Sequence, residues 1–121
     1  MLVEDDDLVR RALTKFFETN GFVVLAVPSV RLARRLLDET TVDYVITDHG
    51  LPDGSSADVL EAVQRRNPDL VRRGCLVIFT GDPYALGSKP PPSTVPIVTK
   101  STDLRTLLAV VLQDERARRS G

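Results

Sequence analysis

Several residue types and patterns are scarce in this chain of 121 residues, and each scarcity argues against a class of protein. The single cysteine, Cys75, cannot form a disulfide within the chain, which is typical of a reducing compartment, so we expect a cytoplasmic location. Tryptophan is absent and aromatic residues make up only 5%, which argues against base stacking on nucleic acid. No apolar run reaches the length of a membrane span.

The chain also has no large excess of positive or negative charge. The chain has 16 Lys and Arg against 17 Asp and Glu, and its formal net charge is −1. That balance supplies no bulk attraction to nucleic acid or to an anionic membrane, and we expect neither as a direct partner. The length suffices for one compact domain with a core of its own, so we predict a single domain over residues 1–121.

Five short apolar runs, each ended by polar or turn residues, predict buried β-strands. They cover residues 1–3, 22–27, 44–47, 75–79 and 96–99. Helical spacing of apolar residues predicts helices after the first, second, third and fifth runs, and Asn67-Pro68 is expected to end the third helix. The expected caps are Ser29, Ser55 or Ser56, and Ser101 or Thr102. Strands that alternate with helices predict a parallel sheet with right-handed crossovers.

Polar residues stand at the ends of four of these strands. The first strand is followed by Glu4 and Asp5, the third by Asp48, the fourth by Thr80 and the fifth by Lys100. Because parallel strands share one carboxyl edge, these side chains are expected to meet there. Clustered carboxylates repel one another unless a cation or a shared proton intervenes, and oxygen ligands favour Mg²⁺. A hard cation beside an ammonium predicts a site for a phosphoryl group.

With these residues in this order, the sequence resembles the receiver domain of bacterial two-component response regulators. The segments that carry the resemblance are residues 3–6 (VEDD), 47–54 (TDHGLPDG), 79–81 (FTG) and 98–100 (VTK). The resemblance covers essentially the whole chain. It implies a flavodoxin-like, five-stranded parallel sheet in the order 2-1-3-4-5, with helices on both faces.

The resemblance also implies a phosphoacceptor and a metal site. Asp48 would be the nucleophile that takes a phosphoryl group from a phosphohistidine. Asp5 would bind Mg²⁺ directly, with Glu4 supporting it through water. Asp48 and the backbone carbonyl of Gly50 would be further ligands.

Three more residues take roles from the same resemblance. Lys100 would pair with a phosphoryl oxygen, and the Thr80 hydroxyl would turn onto the phosphoryl group once it arrives. Asp82 lies two residues beyond Thr80, where family members tune dephosphorylation. His49, directly after the phosphoacceptor, is interpreted as a loop residue at the rim of the site rather than as a catalytic base. Asp53 is interpreted first as a turn residue.

The chain departs from the family pattern in three places. Ser101 follows Lys100 where the family usually has proline, and Ile97 stands where many members carry a switching Tyr or Phe. The proline-rich residues 89–93 occupy the place of the fourth helix, which we expect to be short or missing. Receivers at the C-terminus of hybrid sensor histidine kinases often share that abbreviation, so such a parent is one interpretation.

The expected partner is a histidine kinase or a histidine phosphotransfer protein, and a weak homodimer remains an open alternative. The domain would be a signalling module that assists only its own phosphorylation and dephosphorylation, not an enzyme in the usual sense. A phosphatase or phosphotransferase with an aspartyl-phosphate would want a second acid two residues after the nucleophile, where this chain has Gly50. A degenerate receiver that binds proteins without phosphate is the alternative that the departures keep open.

Overall fold

Strands and helices alternate along the part of the chain that this computed structural model describes, residues 1–82, 86 and 90–113. The strands are β1 (Leu2–Val3), β2 (Ala26–Val27), β3 (Val45–Thr47), β4 (Gly50–Leu51), β5 (Gly54–Ser55), β6 (Leu76–Thr80) and β7 (Ile97–Thr99). The helices are α1 (Asp7–Thr19), α2 (Val30–Glu39), α3 (Ser56–Arg66), α4 (Pro68–Arg72) and α5 (Leu104–Val111). None of these helices is long and apolar enough to cross a membrane.

Five of the strands form one parallel sheet in the order β2-β1-β3-β6-β7. Counted among themselves along the chain, these five have the order 2-1-3-4-5, which confirms the predicted fold. In the register, Leu2 lies beside Ile46 and Ile46 beside Val77. β3 and β6 are buried along their whole length because helices cover both faces of the sheet, and both are apolar except for the threonine that ends each strand.

Two clusters of buried side chains lie on opposite faces of the sheet, because successive residues of a strand point to opposite sides. One face packs against α2, α3 and α4, and the other against α1 and α5. Val3 and Ile78 belong to the first cluster, whereas Leu2 and Val77 belong to the second. Both faces of the sheet are therefore closed, and ligands can approach the central strands only from their ends.

Side chains next to the helix starts satisfy the free N–H groups there. Asp6 accepts from the N–H groups of Leu8 and Val9 and so caps α1. The predicted caps Ser29 and Ser55 are confirmed, and Ser55 forms a capping box with Asp58. The prediction for the last helix was wrong.

The cap of α5 is Asp103, which accepts from the N–H of Arg105. Neither of the two predicted residues takes that place, because both hydroxyls are engaged with the preceding strand. The hydroxyls of Ser101 and Thr102 lie 3.0 and 2.9 Å from that of Thr99.

Two further predictions are corrected. The second strand covers only Ala26–Val27 instead of residues 22–27, because its neighbour β1 is itself only two residues long. Phe22 packs edge-on against Phe17 instead. Asn67-Pro68 does end α3, but Pro68 also opens the short helix α4, since its fixed φ and missing N–H suit a first helical position.

The proline-rich segment between β6 and β7 is described only in part. Residues 90–96 contain no α-helix, in agreement with the prolines there. Residues 83–85 and 87–89 lie outside the described residues. The expectation that the family's fourth helix, which would lie between β6 and β7, is short or missing therefore remains a prediction.

Leu107 on α5 offers a test of the packing on one face of the sheet. Its side chain is fully buried against β6 and β7, so Leu107→Ala should lower the free energy of unfolding by about 2–5 kcal/mol. Urea denaturation followed by circular dichroism measures the change. Leu8→Ala on the exposed side of α1 is the control and should be nearly neutral, since Leu8 is 76% exposed. Equal losses in both variants would contradict the assigned core.

Candidate functional site

The carboxyl edge of the sheet brings together side chains that lie far apart in the sequence. Backbone hydrogen bonds hold them there: the N–H of Asp48 donates to the carbonyl of Val3 over 2.9 Å, and the N–H of Lys100 donates to the carbonyl of Thr80 over 2.8 Å. The ends of β1, β3, β6 and β7 therefore lie side by side, as the parallel arrangement predicts.

Three carboxylates cluster at this edge. One carboxylate oxygen from each of Glu4, Asp5 and Asp48 lies within 4.8 Å of the other two. Lys100 bridges two of them: its Nζ donates to Oε1 of Glu4 over 3.2 Å and to Oδ2 of Asp48 over 3.1 Å. The structure thus brings together four residues that the sequence placed at strand ends.

This environment shifts the pKa values of Glu4 and Lys100. Burial raises the pKa of the Glu4 carboxyl to about 7, the charge of Asp48 acts in the same direction, and Lys100 opposes both. Burial lowers the pKa of the Lys100 ammonium, but the hydrogen bond to Asp48 and the charges of Glu4 and Asp48 outweigh it, so this pKa lies above its usual value. The cluster holds more negative charge than Lys100 alone relieves.

The donor set fits a hard divalent cation. All three candidate side-chain ligands offer carboxylate oxygens, which Mg²⁺ prefers, and Asp5 is exposed while Glu4 is buried. A cation there would have open coordination positions toward solvent on the Asp5 side, and a phosphoryl group could share them. The charge of Asp48, which adds to burial in raising the pKa of Glu4, supports this fit, because a bound cation would offset the charges of both carboxylates.

Thr80 lies at the same edge but its hydroxyl faces its own loop. The side chain is 4% exposed, and its Oγ accepts from the N–H of Asp82 over 3.2 Å. Asp82 itself is exposed. The structure therefore places Thr80 beside the cluster, with its hydroxyl bonded to the backbone two residues on.

The loop after Asp48 is more ordered than the sequence suggested. Residues 50–51 and 54–55 pair as the antiparallel strands β4 and β5. Asp53, expected only to form a turn, accepts from the N–H groups of Val30 and Arg31 at the start of α2, over 2.8 and 2.9 Å. Both hydrogen bonds lower the pKa of the Asp53 carboxyl, and the one from Arg31 has the larger effect. The hairpin is thereby attached to the neighbouring helix.

The supporting roles of two residues, Arg10 and Ser56, were missed by sequence reasoning. Arg10 donates from its guanidinium to the carbonyls of Glu4 and Asp5, over 3.0 and 3.4 Å, and so holds the first acidic loop. Ser56 is 2% exposed and its hydroxyl lies 2.8 Å from Nδ1 of His49. No local pattern signals these contacts, because arginine on a helix and serine at a helix start have ordinary explanations.

The structure shows the surroundings of Ser101 and Ile97, the two residues near Lys100 that depart from the family pattern. Ser101 bonds through its hydroxyl to Thr99, and Lys100 reaches both carboxylates with serine after it. Ile97 on β7 is 41% exposed, so an aliphatic side chain lies at the surface of the edge strand.

Comparison with known proteins gives one consistent result. A family model described as the response regulator receiver domain matches residues 1–82. The photosynthetic apparatus regulatory protein RegA of Rhodobacter capsulatus is 27% identical over 81 residues, which make up 67% of this chain and 42% of that protein. The chain spans less than half the length of the first curated relatives that it matches.

Solved structures agree on the fold. A response regulator receiver protein from Sinorhizobium medicae superposes with a TM-score of 0.83 at 22% identity, over 97% of this chain and 93% of that one. The response regulator TrrA from Thermotoga maritima, solved in complex with Mg²⁺-BeF, gives a TM-score of 0.79 at 18% identity, over 93% and 95% of the two chains. At these identities the likeness concerns the fold.

Replacing Glu4 tests the electrostatic interactions assigned to the carboxylate cluster. Its pKa is raised above the ordinary value of 4.5, so folding favours the protonated form, and that stabilisation is lost as the pH rises through about 7. In metal-free protein at about pH 8, Glu4→Gln should therefore raise the Tm, by about 3 °C or more. The gain should shrink as the pH falls toward 4.5 and vanish well below it, where both folded and unfolded chains carry a neutral side chain.

Thermal unfolding followed by circular dichroism with a chelator measures both values. Glu18→Gln on the exposed side of α1 is the control and should change neither. A lower Tm for Glu4→Gln at about pH 8 would contradict the assigned electrostatics.

Proposed function

The chain belongs to the family of response regulator receiver domains, and we propose that it accepts a phosphoryl group on Asp48 and signals through the resulting change in conformation. Receiver domains act in phosphorylation-dependent signalling. The observation that carries the assignment of Asp48 is its place at the end of the central strand β3, where Lys100 contacts its carboxylate and two further carboxylates lie within 4.8 Å.

The acidic cluster would hold Mg²⁺, as receiver domains generally do at such a pocket. Asp5, Asp48 and the backbone carbonyl of Gly50 are the proposed ligands, with Glu4 acting through water. When bound, the ion neutralises charge on the carboxylates and on the phosphoryl oxygens. The support is the oxygen-only donor set and the raised pKa of Glu4.

The chain's own residues then account for the transfer. A carboxylate oxygen of Asp48 attacks the phosphorus, and an acyl phosphate forms as the phosphorus–nitrogen bond of the donor phosphohistidine breaks. The imidazole leaves with the electron pair of that bond. Lys100, already 3.1 Å from the Asp48 carboxylate, is placed to pair with the charge that arrives on the phosphoryl oxygens.

Thr80 would couple phosphorylation of Asp48 to a change in conformation. Its hydroxyl donates to the Asp82 carbonyl over 3.4 Å in this structure, and it would exchange that bond for one donated to a phosphoryl oxygen. The backbone at Asp82 would shift as a consequence. Asp82 would also influence how long the acyl phosphate survives.

The wider setting is proposed on the same grounds. A histidine kinase or a histidine phosphotransfer protein would supply the phosphoryl group, and residues 1–121 would form one receiver domain in the cytoplasm. A hybrid sensor kinase as parent fits the resemblance. Another protein or a fused domain would read the output, with no direct contact to nucleic acid or membrane.

Beryllium fluoride, which mimics a phosphoryl group, tests the assignment. With Mg²⁺ it should bind the parent chain and shift the amide resonances of Asp48 and Thr80 in ¹H–¹⁵N NMR spectra. Asp48→Asn should abolish these shifts with the fold intact. Asp43→Asn, an exposed residue before the opposite end of β3, is the matched control and should bind normally.

The same titration separates the alternatives. A folded parent chain that shows no shifts with Mg²⁺ and beryllium fluoride would exclude an active receiver and support the phosphate-independent binding module. Full binding by Asp48→Asn would show that another residue is the acceptor.

A further inference from the structure

Ser56, the first residue of α3, has a buried hydroxyl that helix capping does not require. The cap of α3 is the preceding residue, Ser55, whose hydroxyl accepts from the N–H of Ala57. The Ser56 side chain is 2% exposed and is hydrogen-bonded instead to Nδ1 of His49, over 2.8 Å. A buried hydroxyl is retained at a cost unless it has a partner, and here the partner is the ring beside the phosphoacceptor.

Ser56 holds His49 at two points. Besides the bond between the side chains, the N–H of Ser56 donates to the carbonyl of His49 over 2.8 Å. Because hydrogen bonds hold both the ring and the carbonyl of His49, its peptide groups have little freedom to rotate. Ser56, at the start of α3, therefore fixes the loop residue that follows Asp48.

His49 in turn contacts the nucleophile. Its backbone N–H donates to Oδ1 of Asp48 over 2.7 Å, while Lys100 donates to Oδ2 over 3.1 Å. Each oxygen of the Asp48 carboxylate therefore has its own donor, and together the two donors define the plane of the carboxylate. One donor is the end of a long side chain, whereas the other belongs to a backbone that Ser56 anchors.

Building on the proposed function, we propose that Ser56 is a positioning residue for phosphoryl transfer, which orients the Asp48 carboxylate through His49. Ser56 touches neither Asp48 nor the phosphoryl group in this scheme. Its contribution is to keep the His49 N–H aimed at Oδ1, so that the reacting carboxylate rests in one orientation before the donor arrives.

The test uses the full chain, saturating Mg²⁺ and acetyl phosphate as phosphodonor. Ser56→Ala should lower the maximal phosphorylation rate constant by about 3–10-fold and leave the half-saturating acetyl phosphate concentration unchanged, because orientation and not donor binding is lost. Ser55→Ala is the matched control. It removes a hydroxyl hydrogen bond from the same helix start without touching His49, so it should reduce stability but not the rate constant.

A double-mutant cycle with His49→Ala shows whether Ser56 acts through the histidine ring. If it does, Ser56→Ala should cause no further loss in the His49→Ala background. An unchanged rate constant in Ser56→Ala, an equal loss in Ser55→Ala, or fully additive losses in the cycle would each overturn the proposal.

A second measurement is independent of phosphorylation. In the metal-free protein, amide hydrogen exchange at His49 should be faster in Ser56→Ala than in the parent, and unchanged in Ser55→Ala after correction for global stability. If the parent chain takes up no phosphoryl group, the proposed function fails. Exchange at His49 then still decides whether Ser56 fixes the donor to Asp48, and retained protection would overturn that as well.

Discussion

The contact on which the site depends is the bridge from Lys100 to Glu4 and Asp48. One ammonium ties the ends of three strands, with Nζ 3.2 Å from one carboxylate and 3.1 Å from the other. Glu4 is 1% exposed, and an uncompensated buried carboxylate would be costly. The same bridge brings one positive charge to three clustered carboxylates, so it offsets only part of their negative charge. This remaining negative charge is the basis for the Mg²⁺ site proposed here.

A second set of contacts makes the loop after Asp48 stiff. The β4–β5 hairpin closes it, Asp53 binds it to the first turn of α2, and Ser56 binds it to the first turn of α3. Gly54 lies so close to Asp58 that an added Cβ would sit 2.5 Å from its Oδ2, which explains glycine there. Asp48, the proposed nucleophile, therefore lies at the start of a loop with three separate attachments, and the proposed transfer would need little reorganisation of that loop.

The opposite side of the site is held more loosely. Thr80 ends β6 with its hydroxyl accepting from the Asp82 N–H over 3.2 Å and donating to the Asp82 carbonyl over 3.4 Å, and a better acceptor could replace that carbonyl. On the neighbouring edge strand, Ile97 offers an exposed aliphatic side chain instead of an aromatic ring. Under the proposed function, phosphorylation of Asp48 would therefore act on the backbone at Asp82 rather than through a side-chain rotation at Ile97. The contrast between an acceptor loop with several attachments and a replaceable threonine contact would be the basis of that switch.

Much of this architecture could be predicted from the sequence because the determining patterns are local. Apolar runs located the strands, alternation with helices required a parallel sheet, and parallel strands must bring Glu4, Asp48 and Lys100 to one edge. Ser29 and Ser55 were recognisable as caps since the relevant N–H groups lie within three residues. The family resemblance rested on the same strand-end residues.

Other features depended on distances between segments, which local patterns do not contain. The length of β2 follows from the two residues of β1 beside it, and the cap of α5 follows from Thr99 having engaged Ser101 and Thr102. The contacts of Ser56 and Asp53 arise only when the hairpin is folded against α2 and α3. The sequence by itself therefore determined which residues reach the carboxyl edge. Tertiary structure decided how they are held there, because hydrogen-bond partners are set by positions in space and not by neighbours along the chain.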